Sequence, residues 1–467
     1  MTDLAFLGIA DAADLIRTRK LSPVEYVAAL LDRTDRLDSR YHAFIHLTRD
    51  LALAAAQEAE KEIAGGNWRG PLHGIPTGLK DIIDCAGVPT TAHSKVLADN
   101  VAAEDAMVTK RLKSAGAIVM GKLATHEFAI GGPSFDLPWP PAVNPWGGAH
   151  FPGGSSSGCG VALAAGMLPA ALGTDTGGSV RNPASMCGIT GMKPTYGRVS
   201  RRGVLPLAYS LDHVGPMTRT VRDNALLLQA LAGHDPDDPG SANVPVSHYA
   251  ADLERGVKGL KIGLVRHFYA EDMQAHPEQT QAIDRAAEAL RDLGAEVREI
   301  RLAPLQDYAT CTRIIIRCEA FAIHRRWLAE RPGDYGNLAR QRILDGAAVS
   351  AADYVDAQRF RTRLTRMTLE IFAGLDAALT ASSLDPTCRI DDTDACARLY
   401  PRQARQPFNV TGQPAIAIPA GFTPDGLPLS LQLIGHPWQE AMLYRIARAY
   451  ERATSWTERH PPDVCPS

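Results

Sequence analysis

The stretch from residue 65 to about residue 220 is dense in glycine, proline and short strand-like runs, whereas helical patterns fill the 64 residues before it. Glycine tolerates positive φ and lets other groups approach the backbone closely. Successive N–H groups can therefore be turned toward one point and form a hollow that binds an anion. We expect the chemistry of this chain to lie in this stretch.

Three segments of this stretch each place a potential reacting side chain inside glycine-rich backbone. Acyl transfer requires a hollow of N–H donors, because negative charge gathers on the carbonyl oxygen when a nucleophile attacks an amide. The run Thr176-Gly177-Gly178-Ser179 contains both such donors and a hydroxyl nucleophile. On the residues alone, a turn or linker also explains an isolated glycine/serine patch, and that alternative stays open. The segments are PLHGIPTGLKD (71–81), FPGGSSSGCG (151–160) and LGTDTGGSVRNPASMCGITGMKPTYGRVS (172–200).

Other motifs of this general kind do not fit the sequence. The serine segment lacks the Lys-Ser/Thr pair of a Walker A loop, and after GAIVMGK (116–122) Leu123 stands where Ser or Thr is required. No GxGxxG opens a helix after a strand, and His126-Glu127 lacks the second histidine of HExxH. The cysteines form no CxxC pair and no Cys/His cluster with zinc spacing, so we interpret them as reduced thiols and expect no metal. They are Cys85, Cys159, Cys187, Cys311, Cys318, Cys388, Cys396 and Cys465.

The composition of the 467 residues is close to the globular average, with 45% hydrophobic and 22% charged residues and a formal charge of -3. A dedicated nucleic-acid surface normally brings a basic excess or Lys/Arg stripes, and neither appears over any long window. The N-terminus lacks the basic and long apolar regions of a signal peptide, and no apolar stretch reaches the ~18 residues of a membrane span. We therefore expect a cytoplasmic protein that contacts neither nucleic acid nor membrane directly.

Secondary-structure signals predict an α/β fold. Ser22, Pro23 and Glu25 form the start signal of a helix near the N-terminus. Between residues 261 and 302, a strand, an amphipathic helix and a second strand predict a βαβ unit with parallel pairing. No single composition break divides the chain, so we predict one large domain. The strand-like runs of the second half are KIGLV (261–265), EVREIRL (296–302), AIAIPAGF (415–422) and LSLQLIG (429–435).

The three glycine-rich segments, in this order and at this spacing, resemble the amidase signature family. Ser155 follows Lys80 by 75 residues and Ser179 follows Ser155 by 24, as the lysine, bridging serine and nucleophilic serine of that family are spaced. The resemblance runs from the N-terminal helix to LPLSLQLIGHPWQE (427–440), with a loose match from about 235 to 400. It implies an α/β fold with a central mixed, largely parallel β-sheet surrounded by helices.

The resemblance also implies that residues 1–467 form a single amidase signature domain with four regions. Residues 1–64 are the N-terminal helical region, and residues 65–235 are the catalytic core. Residues 236–400 form the peripheral βαβ and helical region at the substrate entrance. Residues 401–467 add the C-terminal strands and helix that complete the core.

Each reactive residue receives a role from the resemblance. Ser179 is the nucleophile, Ser155 is the bridging serine in a cis peptide bond after Gly154, and Lys80 is the final base. A lysine acts as a base only when neutral, and burial among apolar neighbours lowers its pKa in the direction that this role needs. The alternative is that Lys80 is a surface residue paired with Asp81. The apolar neighbours are Ile75, Leu79, Ile82 and Ile83.

The backbone around the nucleophile and one upstream loop are implied to bind the substrate. The expected oxyanion hole is made by the N–H groups of Thr176, Gly177, Gly178 and Ser179. The family segment that lines the acyl pocket corresponds to a loop at 128–133. We expect Phe135, Trp139 and Trp146 to belong either to an apolar pocket wall or to the core. The expected substrate-binding residues of the loop are Ala129, Ile130, Gly131 and Gly132.

One position departs from the family pattern, because Ser157 stands where glycine is usual. A positive φ at this serine would cost about 1 kcal/mol or more. Asp175 and Arg181 flank the nucleophile, and we favour a structural pairing of these two residues over a role in substrate binding. Cys159 lies close to the bridging serine in sequence, and we assign it to packing.

The expected activity is hydrolysis of an amide, carbamate or urea-like C–N bond through an acyl-enzyme on Ser179, with no metal and no organic cofactor. The expected substrate is a small-molecule amide, with no nucleic acid bound directly and a homodimer as one possible assembly. The alternative is the glutamine-hydrolysing A subunit of a tRNA-dependent amidotransferase, which releases ammonia for a partner protein. A catalytically silent binding protein is disfavoured, because all three reactive residues are present.

Overall fold

An eleven-stranded β-sheet crosses the computed structural model, which describes residues 4–464. Its strands are β1 (Phe44–Leu47), β2 (Pro76–Lys80), β3 (Ile118–Leu123), β4 (Ala170–Asp175), β5 (Thr190–Lys193), β6 (His213–Thr218), β7 (Lys261–Leu264), β8 (Glu296–Glu299), β9 (Ala377–Ala381), β10 (Ala415–Phe422) and β11 (Pro428–Gly435). Across the sheet they follow the order β1-β3-β2-β4-β6-β5-β10-β11-β9-β7-β8.

Helices surround this sheet, which confirms the predicted α/β class. They are α1 (Ile9–Arg17), α2 (Pro23–Tyr41), α3 (Arg49–Ala64), α4 (Met107–Ser114), α5 (Ser157–Ala164), α6 (Arg181–Cys187), α7 (Val221–Leu231), α8 (His267–Ala270), α9 (Pro277–Asp292), α10 (Leu305–Glu330), α11 (Asn337–Leu344), α12 (Ala351–Phe372), α13 (Thr393–Leu399), α14 (Pro407–Val410) and α15 (Glu440–Arg452). The start of α2 follows the predicted signal, because the Ser22 side chain accepts hydrogen bonds from the N–H groups of Val24 and Glu25.

The sheet is mixed, as expected, but parallel pairs do not dominate it. Four strand pairs are parallel, namely β2 with β3, β2 with β4, β7 with β9 and β7 with β8. The six remaining pairs are antiparallel. The physical reason lies in the connections, since β10 and β11 are joined by a turn at 423–427 that is too short for the crossover of a parallel pair.

The predicted βαβ unit is present. β7 and β8 pair in parallel with Lys261 opposite Glu296, and α9 connects them. The antiparallel hairpin of β10 and β11 begins and ends within one residue of the predicted strands. The long helices α10 and α12 lie between these two parts of the chain.

Parallel pairing brings two functional segments to one edge of the sheet. β2 lies between β3 and β4 and runs parallel to both, so the carboxyl ends of these strands point the same way. Lys80 is the last residue of β2, and Asp175 is the last residue of β4. Every residue of the three strands is buried, as expected for parallel strands with helices on both faces.

The eleven strands of one sheet support the single-domain organisation over residues 1–467, which we keep as a proposal together with its four regions. Among the helices within residues 4–464, none has the length and apolarity that a bilayer crossing requires. Cys465 lies outside the described residues, and the other seven cysteines are free thiols.

Candidate active site

Lys80 and Ser155 meet at the carboxyl edge of β2 and β4. The Lys80 Nζ atom lies 2.7 Å from Ser155 Oγ and 2.7 Å from Thr174 Oγ1. Both Lys80 and Ser155 have no solvent exposure. A neutral amine has two N–H donors and one lone pair, so Lys80 can donate to Thr174 while its lone pair faces the Ser155 hydroxyl.

Burial lowers the pKa of Lys80 to about 7, although the neighbouring acidic groups of Cys159, Asp212 and Asp175 act in the opposite direction. An isolated ammonium buried in this way loses its hydration, and the neutral amine is favoured instead. The alternative of a surface lysine paired with Asp81 does not hold. Asp81 lies 3.2 Å from a different lysine, Lys122, and both of these groups are fully buried.

The serine segment forms a tight loop around a cis peptide bond between Gly154 and Ser155. The His126 N–H donates to the Ser155 carbonyl at 3.0 Å, and the Ser156 N–H donates to the Ser179 carbonyl at 3.2 Å. A Cβ atom at Gly154 would lie 2.1 Å from the His126 ring, so only glycine fits there without movement. The loop therefore joins Ser155 to the segment that carries Ser179 through main-chain contacts.

Ser157 does not need a left-handed backbone, so the restriction expected from its Cβ atom is absent. It is the first residue of α5 and is not among the residues with positive φ. Its hydroxyl donates to the Ala124 carbonyl at 3.3 Å. Cys159, two residues further on, is buried with its sulfur 3.4 Å from the Leu172 carbonyl, in agreement with a packing role.

The segment after β4 carries Ser179 and the candidate oxyanion donors. The Gly178 N–H donates to Asp175 Oδ1 at 2.8 Å, so this donor is already engaged and we remove it from the expected oxyanion hole. The N–H groups of Thr176, Gly177 and Ser179 make no hydrogen bond to another residue within 4–464. These three donors remain the candidates for stabilising an oxyanion.

Asp175 and Arg181 form a buried ion pair that supports the segment of Ser179. The Arg181 guanidinium lies 2.9 Å from Asp175 Oδ1, and neither side chain is exposed. It also donates to Asn409 at 2.6 Å and to Gln432 at 3.0 Å. Burial alone raises the pKa of Asp175, but the charge of Arg181 outweighs it and holds that pKa well below its usual range. These contacts agree with the structural role expected for the pair.

A cavity of about 340 Å³ opens between the loop after Ile130, helix α11 and helix α13. Gly131 and Gly132 line it, whereas Ala129 and Ile130, the other two residues expected there, do not. Of the three candidate aromatic residues, Phe135 lines the cavity. Trp139 contacts the His93 ring, and Trp146 is buried against Phe422. Polar and charged residues of the wall are Ser134, Asp136, Asn337, Gln341, Arg342, Thr393 and Tyr400.

Three residues near the reactive groups were not found from the sequence. Burial raises the pKa of Tyr400, which lines the cavity with its ring 5.9 Å from the His126 ring. Arg342 lines the cavity and makes no ion pair with a residue within 4–464. Burial and the charges of Lys80 and Arg342 hold the pKa of His126 well below its usual value.

These omissions have physical causes. Arg342 and Tyr400 belong to the weakly patterned part of the chain, where helical periodicity gives no sign of which side chain faces a distant glycine-rich loop. His126 attracts attention in the sequence only as half of a failed zinc motif. In the sequence, a single histidine next to a strand looks the same whether its role is to pack in the core or to take part in a functional site.

The comparisons with known proteins agree with this geometry. The family model described as Amidase matches residues 25–444. The A subunit of glutamyl-tRNA(Gln) amidotransferase from Geobacter metallireducens is 41% identical over 481 residues, which cover 97% of this chain and 98% of that protein. The crystal structure of the protein of the same name from Thermotoga maritima is 33% identical with a TM-score of 0.81, covering 97% and 96% of the two chains. A bacterial aryl acylamidase structure has 26% identity and a TM-score of 0.90, covering 98% of each chain.

These relatives overturn one expectation. We expected a small-molecule substrate, no bound nucleic acid and a homodimer as one assembly. The relatives are instead named as one subunit of an enzyme that acts on glutamyl-tRNA(Gln). The error has a physical origin. A net charge near zero argues against a nucleic-acid-binding surface on a single chain. In a complex, however, other subunits can bind the tRNA while that chain supplies a different step of the reaction.

Proposed function

This chain belongs to the amidase signature family, and from that premise we propose that it hydrolyses glutamine as the A subunit of a tRNA-dependent amidotransferase. Its product ammonia would be used by partner subunits to amidate glutamate carried on tRNA. The observation that carries the proposal is the near-full-length likeness to the A subunit of glutamyl-tRNA(Gln) amidotransferase. Retention of the lysine and both serines at the carboxyl edge of β2 and β4 supports a working site.

The charges of the cavity suit a free amino acid amide. Glutamine carries an α-carboxylate and an α-ammonium group at one end and the reactive amide at the other. Arg342 and Asp136 line the same cavity, and each could pair with one of these two charges. Arg342 has no acidic partner within residues 4–464, so a substrate carboxylate would complete its electrostatic environment.

The first half of the reaction would use the three reactive residues in sequence. Neutral Lys80 accepts the Ser155 proton, Ser155 accepts the Ser179 proton, and Ser179 Oγ attacks the amide carbon. The N–H groups of Thr176, Gly177 and Ser179 would stabilise the negative charge that develops on the carbonyl oxygen. Each such donor is worth roughly 3 kcal/mol in comparable sites. Return of the proton to the leaving nitrogen releases ammonia and leaves a glutamyl ester on Ser179.

The second half repeats the relay with water. A water molecule loses its proton through Ser155 to Lys80 and attacks the ester carbonyl, and the same donors stabilise the second oxyanion. Collapse returns the proton to Ser179 and releases glutamate. Lys80 must be neutral at the start of each half, which its pKa of about 7 permits at neutral pH.

The test is a nitrogen-transfer assay with the complete complex. The chain is purified alone and together with the partner subunits encoded by its genome, and ammonia release from L-glutamine is measured for both preparations. With glutamyl-tRNA(Gln) and ATP, the complex should form glutaminyl-tRNA(Gln), and Ser179→Ala should abolish transfer from glutamine but not from added ammonium chloride. Failure of the wild-type complex to use glutamine, while added ammonia supports transfer, would refute the proposal.

A second candidate is a free-standing amidase that acts on a bulkier amide. The observation in its favour is the cavity of about 340 Å³, which is larger than a glutamine side chain requires. Its wall includes the aromatic residues Phe135, Phe151 and Tyr400. Hydrolysis of an aryl amide by the purified chain, with no ammonia release from glutamine in the presence of partners, would favour this candidate over the first.

A further inference from the structure

Two cysteines contact each other beside the cavity of about 340 Å³, and one of them, Cys396, lines it. The Sγ atoms of Cys388 and Cys396 are 3.5 Å apart. Among the cysteines within residues 4–464, this is the only thiol–thiol contact. Cys396 lines the cavity described above, and the two cysteines pack with Phe151, Ile390 and Tyr400 in one small apolar cluster.

The contact is close enough for a disulfide to form with a small movement. Sulfur atoms in a disulfide are about 2.05 Å apart, so the two Sγ atoms must approach by about 1.5 Å. The Cys388 side is held in place, because its carbonyl accepts a hydrogen bond from the Phe151 N–H at 2.8 Å and the Ile390 N–H donates to the Ala149 carbonyl at 2.9 Å. Cys396 lies on the short helix α13, which is therefore the part expected to move.

The two thiols differ in a way that suits stepwise oxidation. Cys388 is partly exposed, and its contact with Cys396 lowers the pKa of the Cys388 thiol. Cys396 is 5% exposed, and its contact with Cys388 together with burial raises its pKa. A thiolate that solvent can reach reacts with oxidants, whereas a buried neutral thiol beside it can resolve the product.

We propose that Cys388 and Cys396 form a redox site, which a hydroperoxide oxidises to a disulfide that slows the acylation of Ser179. The Cys388 thiolate attacks one peroxide oxygen, so that an S–O bond forms, the O–O bond breaks and hydroxide leaves. The Cys396 sulfur then attacks the sulfenic acid, an S–S bond forms, and water leaves with the Cys396 proton. Two thiols lose two electrons in total, and hydrogen peroxide is reduced to two molecules of water once the hydroxide takes up the proton that Cys388 released on ionisation. A small dithiol reverses the change.

The effect on the active site follows from the position of Tyr400. Its N–H donates to the Cys396 carbonyl at 3.0 Å, so Cys396 and Tyr400 lie on successive turns. The Tyr400 ring in turn lies 5.9 Å from the His126 ring, and the His126 N–H donates to the Ser155 carbonyl at 3.0 Å. A shift of Cys396 by about 1.5 Å therefore displaces a residue that packs against the anchor of the Ser155 loop, and a misplacement of this size can cost on the order of 100-fold in rate. We expect a loss of at least about tenfold.

The experiment follows the disulfide and the reactivity of Ser179 separately. The full chain is treated with hydrogen peroxide, its remaining thiols are alkylated, and it is digested with trypsin. Cleavage after Arg389 places the two cysteines in different peptides, so a disulfide between them appears as one cross-linked pair. The rate of labelling by a fluorophosphonate is measured on the same samples before and after dithiothreitol. This readout does not depend on glutamine being the substrate.

The proposal predicts the cross-linked pair, a labelling rate lower by at least about tenfold, and recovery with dithiothreitol. In Cys396→Ser the peroxide should leave a sulfenic acid on Cys388 that a dimedone probe captures, and no cross-link should form. Cys318→Ser is the matched control, since Cys318 is the other partly exposed cysteine within residues 4–464, and it should behave like the wild type. Absence of the cross-link in the wild type, or a cross-link that leaves labelling unchanged, would overturn the proposal.

Discussion

The pKa of Lys80 predicts the pH dependence of catalysis. At pH 7 about half of the Lys80 amines are neutral when the pKa is about 7, compared with about one in 3,000 at the ordinary value of 10.5. The difference is equivalent to about 5 kcal/mol. Because the neutral amine is the base in the proposed mechanism, kcat/KM should fall about tenfold per pH unit below about pH 6.5 and reach a plateau above about pH 8.

The assay is amide hydrolysis from about pH 5 to about pH 9.5, with the free-enzyme profile taken from kcat/KM. Asp212→Asn is an informative variant, because the Asp212 charge raises the pKa of Lys80 and its loss should move the midpoint to lower pH. Asp212 also accepts a hydrogen bond from Thr176, so the midpoint and not the plateau is the readout. A flat profile over this range, or a midpoint near the ordinary lysine value, would refute the assignment of Lys80 as a neutral base.

Further predictions concern stability and the serine loop. The wild type and Lys80→Met should differ in how their free energies of unfolding depend on pH. As the pH drops from about 9.5 to about 7.5, the difference, wild type minus variant, should fall by about 1.4 kcal/mol per pH unit, because Lys80 gains a proton in the unfolded chain but not in the folded one. A difference that stays constant over this range would contradict the prediction. Arg181→Met leaves the Asp175 carboxylate buried without its partner. The free energy of unfolding, measured with denaturant at neutral pH, should therefore fall by about 3–5 kcal/mol. A fall below about 1 kcal/mol would show that the ion pair is dispensable for stability. Gly154→Ala should lower the rate of fluorophosphonate labelling by at least about tenfold, since the added Cβ atom would lie 2.1 Å from the His126 ring. If this clash is the cause, the double variant Gly154→Ala/His126→Ala should recover part of the labelling rate.

The segments of the candidate site could be predicted because their signals are local, and the contact between Lys80 and Ser155 agrees with them. Lys80, Ser155 and Ser179 stand in glycine-rich segments of fixed spacing, and the strand that carries Lys80 is buried as its apolar neighbours indicate. The βαβ unit of β7 and β8 could likewise be predicted from periodicity. For the strand of Lys80 and for the βαβ unit, the decisive pattern lies within a short stretch of chain.

Features that depend on distant contacts could not be predicted. β4 pairs antiparallel with β6, and β9 pairs antiparallel with β11. These directions depend on the path of the chain between the paired strands, and no short stretch of sequence indicates them. Engagement of the Gly178 N–H by Asp175 depends on the final shape of one loop. Arg342 and Tyr400 reach the cavity only after the helices around them have packed, and the sequence around them has no pattern that marks them.

Mapping the covalent site of a fluorophosphonate probe tests the central claim most directly. Tryptic cleavage leaves Ser155 and Ser179 in one peptide, but a protease that cuts before aspartate separates them at Asp175. The account predicts a phosphonyl group on Ser179 alone, no labelling of Ser179→Ala, and labelling of Lys80→Ala slowed by at least about 100-fold with the fold intact. A phosphonyl group on Ser155, or undiminished labelling of the Ser179→Ala variant, would contradict it.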